Sequence, residues 1–229
     1  MPAPSNVDVA AEALREAIVR GRFKPGERIK ELPLAAELDI SRGPIRDALR
    51  LLERDGLVEV IPNRGALVPE VRAVDVLEVY ALRAALGSLA LRKLLLEGAV
   101  PIDELERALA RLRKAVEGGR AQKAADADLA YQSLIIASSG LARVADEFER
   151  LTWQVRGFIV ALDLTLVDKL PRILAEMEAL HAALVAGAGA EALWREKYER
   201  WVRTLVERLP EPFDERLWTA LVSARAATP

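Results

Sequence analysis

From Leu34 to Val68 the apolar positions read as two short helices joined by a tight turn, followed by a two-stranded hairpin. Ile45, Leu49 and Leu52 recur at helical spacing and predict the buried face of the second helix. Arg42 and Arg46, four residues apart, share another face, from which they can reach base edges or phosphates in a DNA major groove. Ser41 is suited to cap that helix, and Pro44 falls in its first turn, where a missing N–H costs nothing. Around this core the pattern predicts helices over Val9–Arg20, Pro33–Leu38 and Arg42–Asp55, and a hairpin over Val58–Val68 with Asn63-Arg64-Gly65 at its turn. Three helices and a β-hairpin wing make residues 1–70 a winged helix-turn-helix.

After a connection over residues 71–74 no stretch reads as a strand. Amphipathic helices separated by Gly and Pro follow: Val74–Leu96, one from Pro101 to Gly118-Gly119, Ala121–Ala137, Leu141–Leu166, Arg172–Ala186, Glu191–Leu209, and a last one after Pro210 and Pro212 through Arg225. Trp194, Tyr198, Trp201 and Leu205 form one stripe, read first as core and otherwise as the wall of a cavity for an apolar ligand body. Seven helices over residues 75–229 can bury a sizeable core, so the expected fold is mainly α, a winged helix-turn-helix followed by an all-α seven-helix domain.

Composition narrows the chemistry. There is no cysteine, which excludes disulfides, iron–sulfur clusters and thiolate zinc sites. The net charge is −2, and residues 1–70 carry 11 Lys and Arg against 12 Asp and Glu, so DNA contact has to rest on where particular arginines point. No apolar run approaches the ~18 residues that span a bilayer and no secretory signal is present, which makes a cytoplasmic protein the expectation. No nucleophile–base pair, phosphate loop or metal triad suggests an enzyme.

The ordered series Phe23-Lys24-Pro25-Gly26-Glu27-Arg28-Ile29, Leu34-Ala35-Ala36-Glu37-Leu38, Ser41-Arg42-Gly43-Pro44-Ile45-Arg46, Gly56-Leu57-Val58 and Pro62-Asn63-Arg64-Gly65-Ala66 resembles the GntR family of bacterial transcription regulators. The resemblance implies a homodimer that binds an inverted-repeat operator. Arg42 and Arg46 would contact bases, Ser41 a phosphate, Gly43 and Pro44 would lie at the same helix start, and Arg64 and Gly65 would sit at the wing tip near the minor groove. Leu32 and Gly43 depart from the family pattern, which often has a basic or polar residue and a threonine there.

The helical region resembles the FCD-type effector domain of FadR-like members, which implies a small-molecule ligand. Arg83 resembles a pocket-facing arginine, while the glutamate usual four residues later is Gly87. The expected effector set is Arg83, Asp128, Gln132 and His181, with Thr152 and Arg156 as further candidates, and an arginine there favours a carboxylate. Metal-binding members place an Asp and a His four apart on one helix and two further His on later helices. Here Asp128 matches, Gln132 replaces the first histidine, His181 matches the second, and the third falls at Arg200 or Trp201. Asp128 and His181 alone would hold a divalent metal weakly, so no metal or other cofactor is expected. Two further readings stand beside these: His181 as an ordinary hydrogen-bonded core residue, and an effector-independent regulator whose pocket has decayed.

Overall fold

The computed structural model describes residues 4–62 and 64–222. The elements run α1 (Asn6–Val19), β1 (Arg28–Ile29), α2 (Glu31–Glu37), α3 (Arg42–Arg54), β2 (Glu59–Ile61), β3 (Gly65–Leu67), α4 (Ala73–Glu97), α5 (Ile102–Glu117), α6 (Ala121–Ser138), α7 (Ala142–Ala161), a 3-10 turn at Val167–Lys169, α8 (Leu170–Ala186), α9 (Ala190–Val206) and α10 (Glu215–Val222). They form two compact units, Met1–Arg72 with Arg150–Leu164, and Ala73–Glu149 with Thr165–Pro229. The division differs from a simple cut near residue 71, because the second half of α7 belongs to the first unit.

In the first unit Leu14, Ile18, Ile29, Leu34, Ile45, Leu49, Leu52 and Leu57 form one core, with Trp153 of α7 packed against it. The expected apolar face of α3 is therefore the buried one. Two helix starts move for local reasons, and one strand is added. Helix α1 starts at Asn6 because Ser5 and Asp8 form a reciprocal capping box. Helix α2 starts at Glu31, placing Pro33 in the first turn, where no backbone bond is lost. Strand β1 was not expected, and it turns the hairpin into a three-stranded antiparallel sheet of order β1-β3-β2. Gly65 sits at φ +82°, and an added Cβ would lie 2.4 Å from the Ile29 carbonyl oxygen, so the pairing of β1 with β3 requires glycine there. Asn63 of the expected turn lies outside the described residues, while Arg64 N donates to Ile61 O.

The C-terminal end of α3 is fixed by side chains. Arg15 donates to Asp55 Oδ2 from both Nε and Nη2 (3.1 and 2.7 Å), Arg150 Nη2 donates to the Arg54 carbonyl (2.6 Å), and Gln154 Nε2 donates to the Asp55 carbonyl (2.9 Å). Arg150 and Gln154 thereby satisfy carbonyls that a helix end leaves without intrahelical partners, while Arg15 holds the Asp55 carboxylate beside them.

Among the described residues the second unit contains the expected seven α-helices, counting the first half of α7. The pairs α5–α6, α4–α9, α5–α8 and α8–α9 make the main contacts. Helix α7 ends at Ala161 rather than Leu166, since Asp163 turns to φ +46°. The part of the last expected helix beyond Val222 lies outside the described residues. Gly87 on α4 lies directly under Trp194 of α9: an added Cβ would fall 2.1 Å from the indole ring.

That approach makes Gly87→Ala an overpacking change, expected to cost about 1–3 kcal/mol, with Tm falling by about 3 °C per kcal/mol for a chain of this size. The second change Trp194→Phe should recover part of the loss in thermal melts, and additive losses would show that the two positions do not compete for space.

Candidate nucleic-acid interface and buried polar cluster

The first unit carries an open cleft lined by Arg28, Lys30, Arg42, Arg46, Arg50 and Arg64, together with Glu31, Leu32 and Gly65. Arg42 is the first residue of α3 and Arg46 lies one turn on, so the helix N-terminus and two guanidinium groups face the same side. Gly43 and Ser41 are exposed beside them and Pro44 is half-buried. Ser41 occupies the cap position by its backbone, but its side chain makes no capping bond, which corrects the expected cap. Every expected DNA-contact residue is thus on or beside this face.

Glu31 was not anticipated. Arg46 donates to both of its oxygens, from Nε at 3.1 Å and from Nη2 at 2.9 Å. The hydrogen bonds from Arg46 hold the Glu31 carboxyl below its usual range, and Glu31 raises Arg46 in return. This fork fixes the plane of the guanidinium and uses one of its edges. Arg28 and Lys30 were also missed, because their place on the face depends on the unexpected strand β1.

In the second unit the buried side chains of Arg83, Gln132, Asp128, Lys197 and Glu176 form one connected set. Arg83 is 1 % exposed, lies 4.0 Å over the Phe148 ring, and donates to the Phe148 carbonyl (3.3 Å) and to Gln132 Oε1 (2.9 Å). Tyr198 OH donates to the same Gln132 oxygen at 2.6 Å, and Gln132 Nε2 donates to Asp128 Oδ2 at 2.8 Å. Asp128 Oδ1 accepts from Lys197 Nζ at 2.9 Å, and the same ammonium lies 3.3 Å from Glu176 Oε2. Glu176 also accepts from Arg200 Nε and Trp201 Nε1. Burial pushes the Asp128 carboxyl up against the pull of Lys197. Burial acts on Glu176 in the same sense, but Lys197, Arg200 and Trp201 outweigh it and hold that carboxyl below its usual range. Burial also raises the Tyr198 phenol, which therefore remains a donor at neutral pH.

The expected effector set is brought together only in part. Arg83, Asp128 and Gln132 converge, whereas His181 does not join them. It lies five residues beyond Glu176 on α8, about 140° around the helix. Its Nδ1 meets Tyr131 OH and its Nε2 meets Glu106 Oε2, both at 2.9 Å, so the hydrogen-bonded reading of this histidine describes its surroundings. The side chains that face Asp128 and Gln132 from the later helices are Glu176, Lys197 and Tyr198. Thr152 and Arg156 lie on the half of α7 that belongs to the first unit, with the Arg156 guanidinium 5.4 Å over Trp153. A metal does not fit these residues: Asp128 is bonded to an ammonium, both His181 nitrogens are engaged elsewhere, and among the described residues no three His, Asp or Glu side chains gather.

Residues 6–68 match the family model of bacterial regulatory proteins, gntR family, and residues 78–200 match the FCD domain. The chain is 40 % identical over 107 residues to the HTH-type transcriptional regulator YdhC of Bacillus subtilis (strain 168), covering 46 % of this chain and 48 % of that protein. The chain thus spans about half the length of that curated relative. It is 26 % identical over 151 residues to the gluconate operon transcriptional repressor of Bacillus licheniformis, covering 66 % of this chain and 60 % of that one. Among solved structures, Escherichia coli McbR/YncC superposes with a TM-score of 0.78 at 24 % identity, covering 90 % of this chain and 99 % of that chain, a likeness of fold.

Because Glu31 places a negative charge on a face suited to phosphates while orienting Arg46, Glu31→Gln should act in two ways. Affinity for random duplex should rise about fivefold, roughly 1 kcal/mol, as a repulsive charge is lost, and discrimination in favour of a duplex selected from a random library should fall. Fluorescence anisotropy on both duplexes checks this. An equal rise for the two would mean that Glu31 only repels phosphate.

Proposed function

The chain belongs to the GntR family of bacterial regulatory proteins, with an FCD domain after its winged helix-turn-helix, and from this we propose that it is a cytoplasmic transcription repressor released from its operator by a small carboxylate. The observation that carries the DNA-binding part is the cleft lined by six cationic side chains at the N-terminus of α3. Arg42 and Arg46 would read base edges, Ser41 would hold a phosphate with Gly43 and Pro44 allowing close approach, and Arg64 and Gly65 would place the wing near the minor groove. In a twofold dimer two such faces read an inverted repeat. Repression is favoured by the function named for the gluconate operon relative.

The effector part rests on Arg83. Two of its hydrogen bonds go to neutral acceptors, Gln132 Oε1 and the Phe148 carbonyl, while Asp128 is taken up by Lys197 and Gln132. A carboxylate would take the place of the Gln132 oxygen and accept charge-assisted bonds from Arg83 together with the Tyr198 hydroxyl, a stronger set than the amide receives. The effector changes operator affinity only as far as it binds one arrangement of the dimer better than another. A second reading, a regulator without effector, is favoured by the filling of the domain interior by its own side chains, with Trp194 packed onto Gly87 and Lys197 between Asp128 and Glu176.

Arg46→Ala is expected to weaken operator binding at least 30-fold, roughly 2 kcal/mol for one guanidinium lost from each half-site, with circular dichroism and dimer mass unchanged. A variant that shifts the operator at the wild-type concentration would remove Arg46 from the interface. For the effector, a carboxylate present at about 100 times its Kd should raise Tm by roughly 5–10 °C, and Arg83→Ala should abolish the rise. If no carboxylate moves either Tm or operator affinity, the effector-free reading gains.

A further inference from the structure

Lys197 is the least expected residue of the helical unit. Its side chain is 4 % exposed and its ammonium stands between Asp128 of α6 and Glu176 of α8, whose side chains are 11 % and 6 % exposed. The ring of Trp201 lies 5.7 Å from the same nitrogen. The two carboxylates also accept from Gln132 Nε2, Arg200 Nε and Trp201 Nε1. Two buried carboxylates on neighbouring helices repel each other strongly unless a cation lies between them. A divalent ion is one such cation, and it would need oxygen ligands within about 2.0–2.6 Å of its own centre, in the volume that the ammonium fills.

We infer that Lys197 is a resident cation: its ammonium joins Asp128 and Glu176 as a bound divalent ion would, so that the effector domain assembles without metal. Asp128 is thereby committed to a structural ion pair rather than to a metal. The site is also latent. With the lysine side chain removed, the Asp128 and Glu176 carboxylates would face each other across a space that a hard divalent cation could enter. The inference concerns assembly of the domain and stands whether or not the carboxylate effector proposed above is found.

The test is thermal melting of the full chain after EDTA treatment and dialysis, with manganese chloride or ethylammonium chloride added at matched ionic strength. The wild-type Tm should not respond to either salt. Lys197→Ala should melt lower, and both manganese and ethylammonium should return several degrees, because each restores a cation where the ammonium was. In Lys197→Ala with Asp128→Asn the manganese response should vanish. Lys197→Met, which keeps the stem and loses the charge, separates packing from electrostatics and should be destabilised as Lys197→Ala is. A Met variant as stable as wild type, or a wild-type chain stabilised by manganese to the same extent as the alanine variant, would overturn the inference. Should the alanine and methionine variants both fail to fold, Lys197→Arg decides: folding with the charge retained supports the resident cation, and failure there too would mean that the exact shape of lysine, not its charge, is what the site requires.

Discussion

A buried charge must be answered within the fold, and in the helical unit that requirement organises everything else. Arg83, Gln132, Asp128, Lys197 and Glu176 form a chain of hydrogen bonds that draws on α4, α6, α8 and α9. Removing any one member strands its neighbours in a medium of low polarity, where an unpaired ion costs several kcal/mol. The apolar contacts around the chain are non-directional and would tolerate small slides of one helix on another. The polar chain does not, because each donor has to meet one particular oxygen. It therefore sets the register of four helices, while the aromatic stripe of Trp194, Tyr198 and Trp201 supplies much of the area removed from water.

The DNA-binding unit solves a different problem, that of holding an exposed helix still. Helix α3 is gripped along its underside by Ile45, Leu49 and Leu52. Its C-terminal end is gripped by the donors from Arg15, Arg150 and Gln154. At its N-terminal end Glu31 aligns Arg46 before any ligand arrives. A guanidinium fixed in this way loses less side-chain freedom on binding, which favours selectivity over bare affinity. That trade suits a chain whose net charge is −2 and which cannot rely on bulk attraction to DNA.

Much of this was readable from residue order. The recurrence of apolar positions located α3 and the seven later helices, and the arginines at positions 42 and 46 fell on one face as their spacing requires. Strand β1 escaped because two residues, Arg28 and Ile29, carry no periodicity; only the chain that folds back as β3 makes them a strand. Lys197 was overlooked because lysines are rarely buried. A signal was nevertheless present: Lys197 lies three residues after Trp194 and next to Tyr198, inside the stripe that faces the core. A charged residue on such a stripe demands a buried partner, and Glu176, between Ile173 and Met177 on α8, makes the same demand with the opposite sign. Matching those two positions would have found the pair and released His181 from the cluster.

The assignment of residues 150–164 to the first unit has a further consequence. Arg150 and Gln154 close the end of α3, yet they arrive only after the chain has passed through α4, α5 and α6. The DNA-binding unit is therefore not a cassette that can be lifted out at residues 71–74. A fragment ending there would leave the last carbonyls of α3 to water, and a chimera joined there would inherit whatever side chains a foreign α7 happened to present. Exchange of DNA-reading heads between such regulators, in the laboratory or over evolutionary time, would have to carry both stretches of chain together.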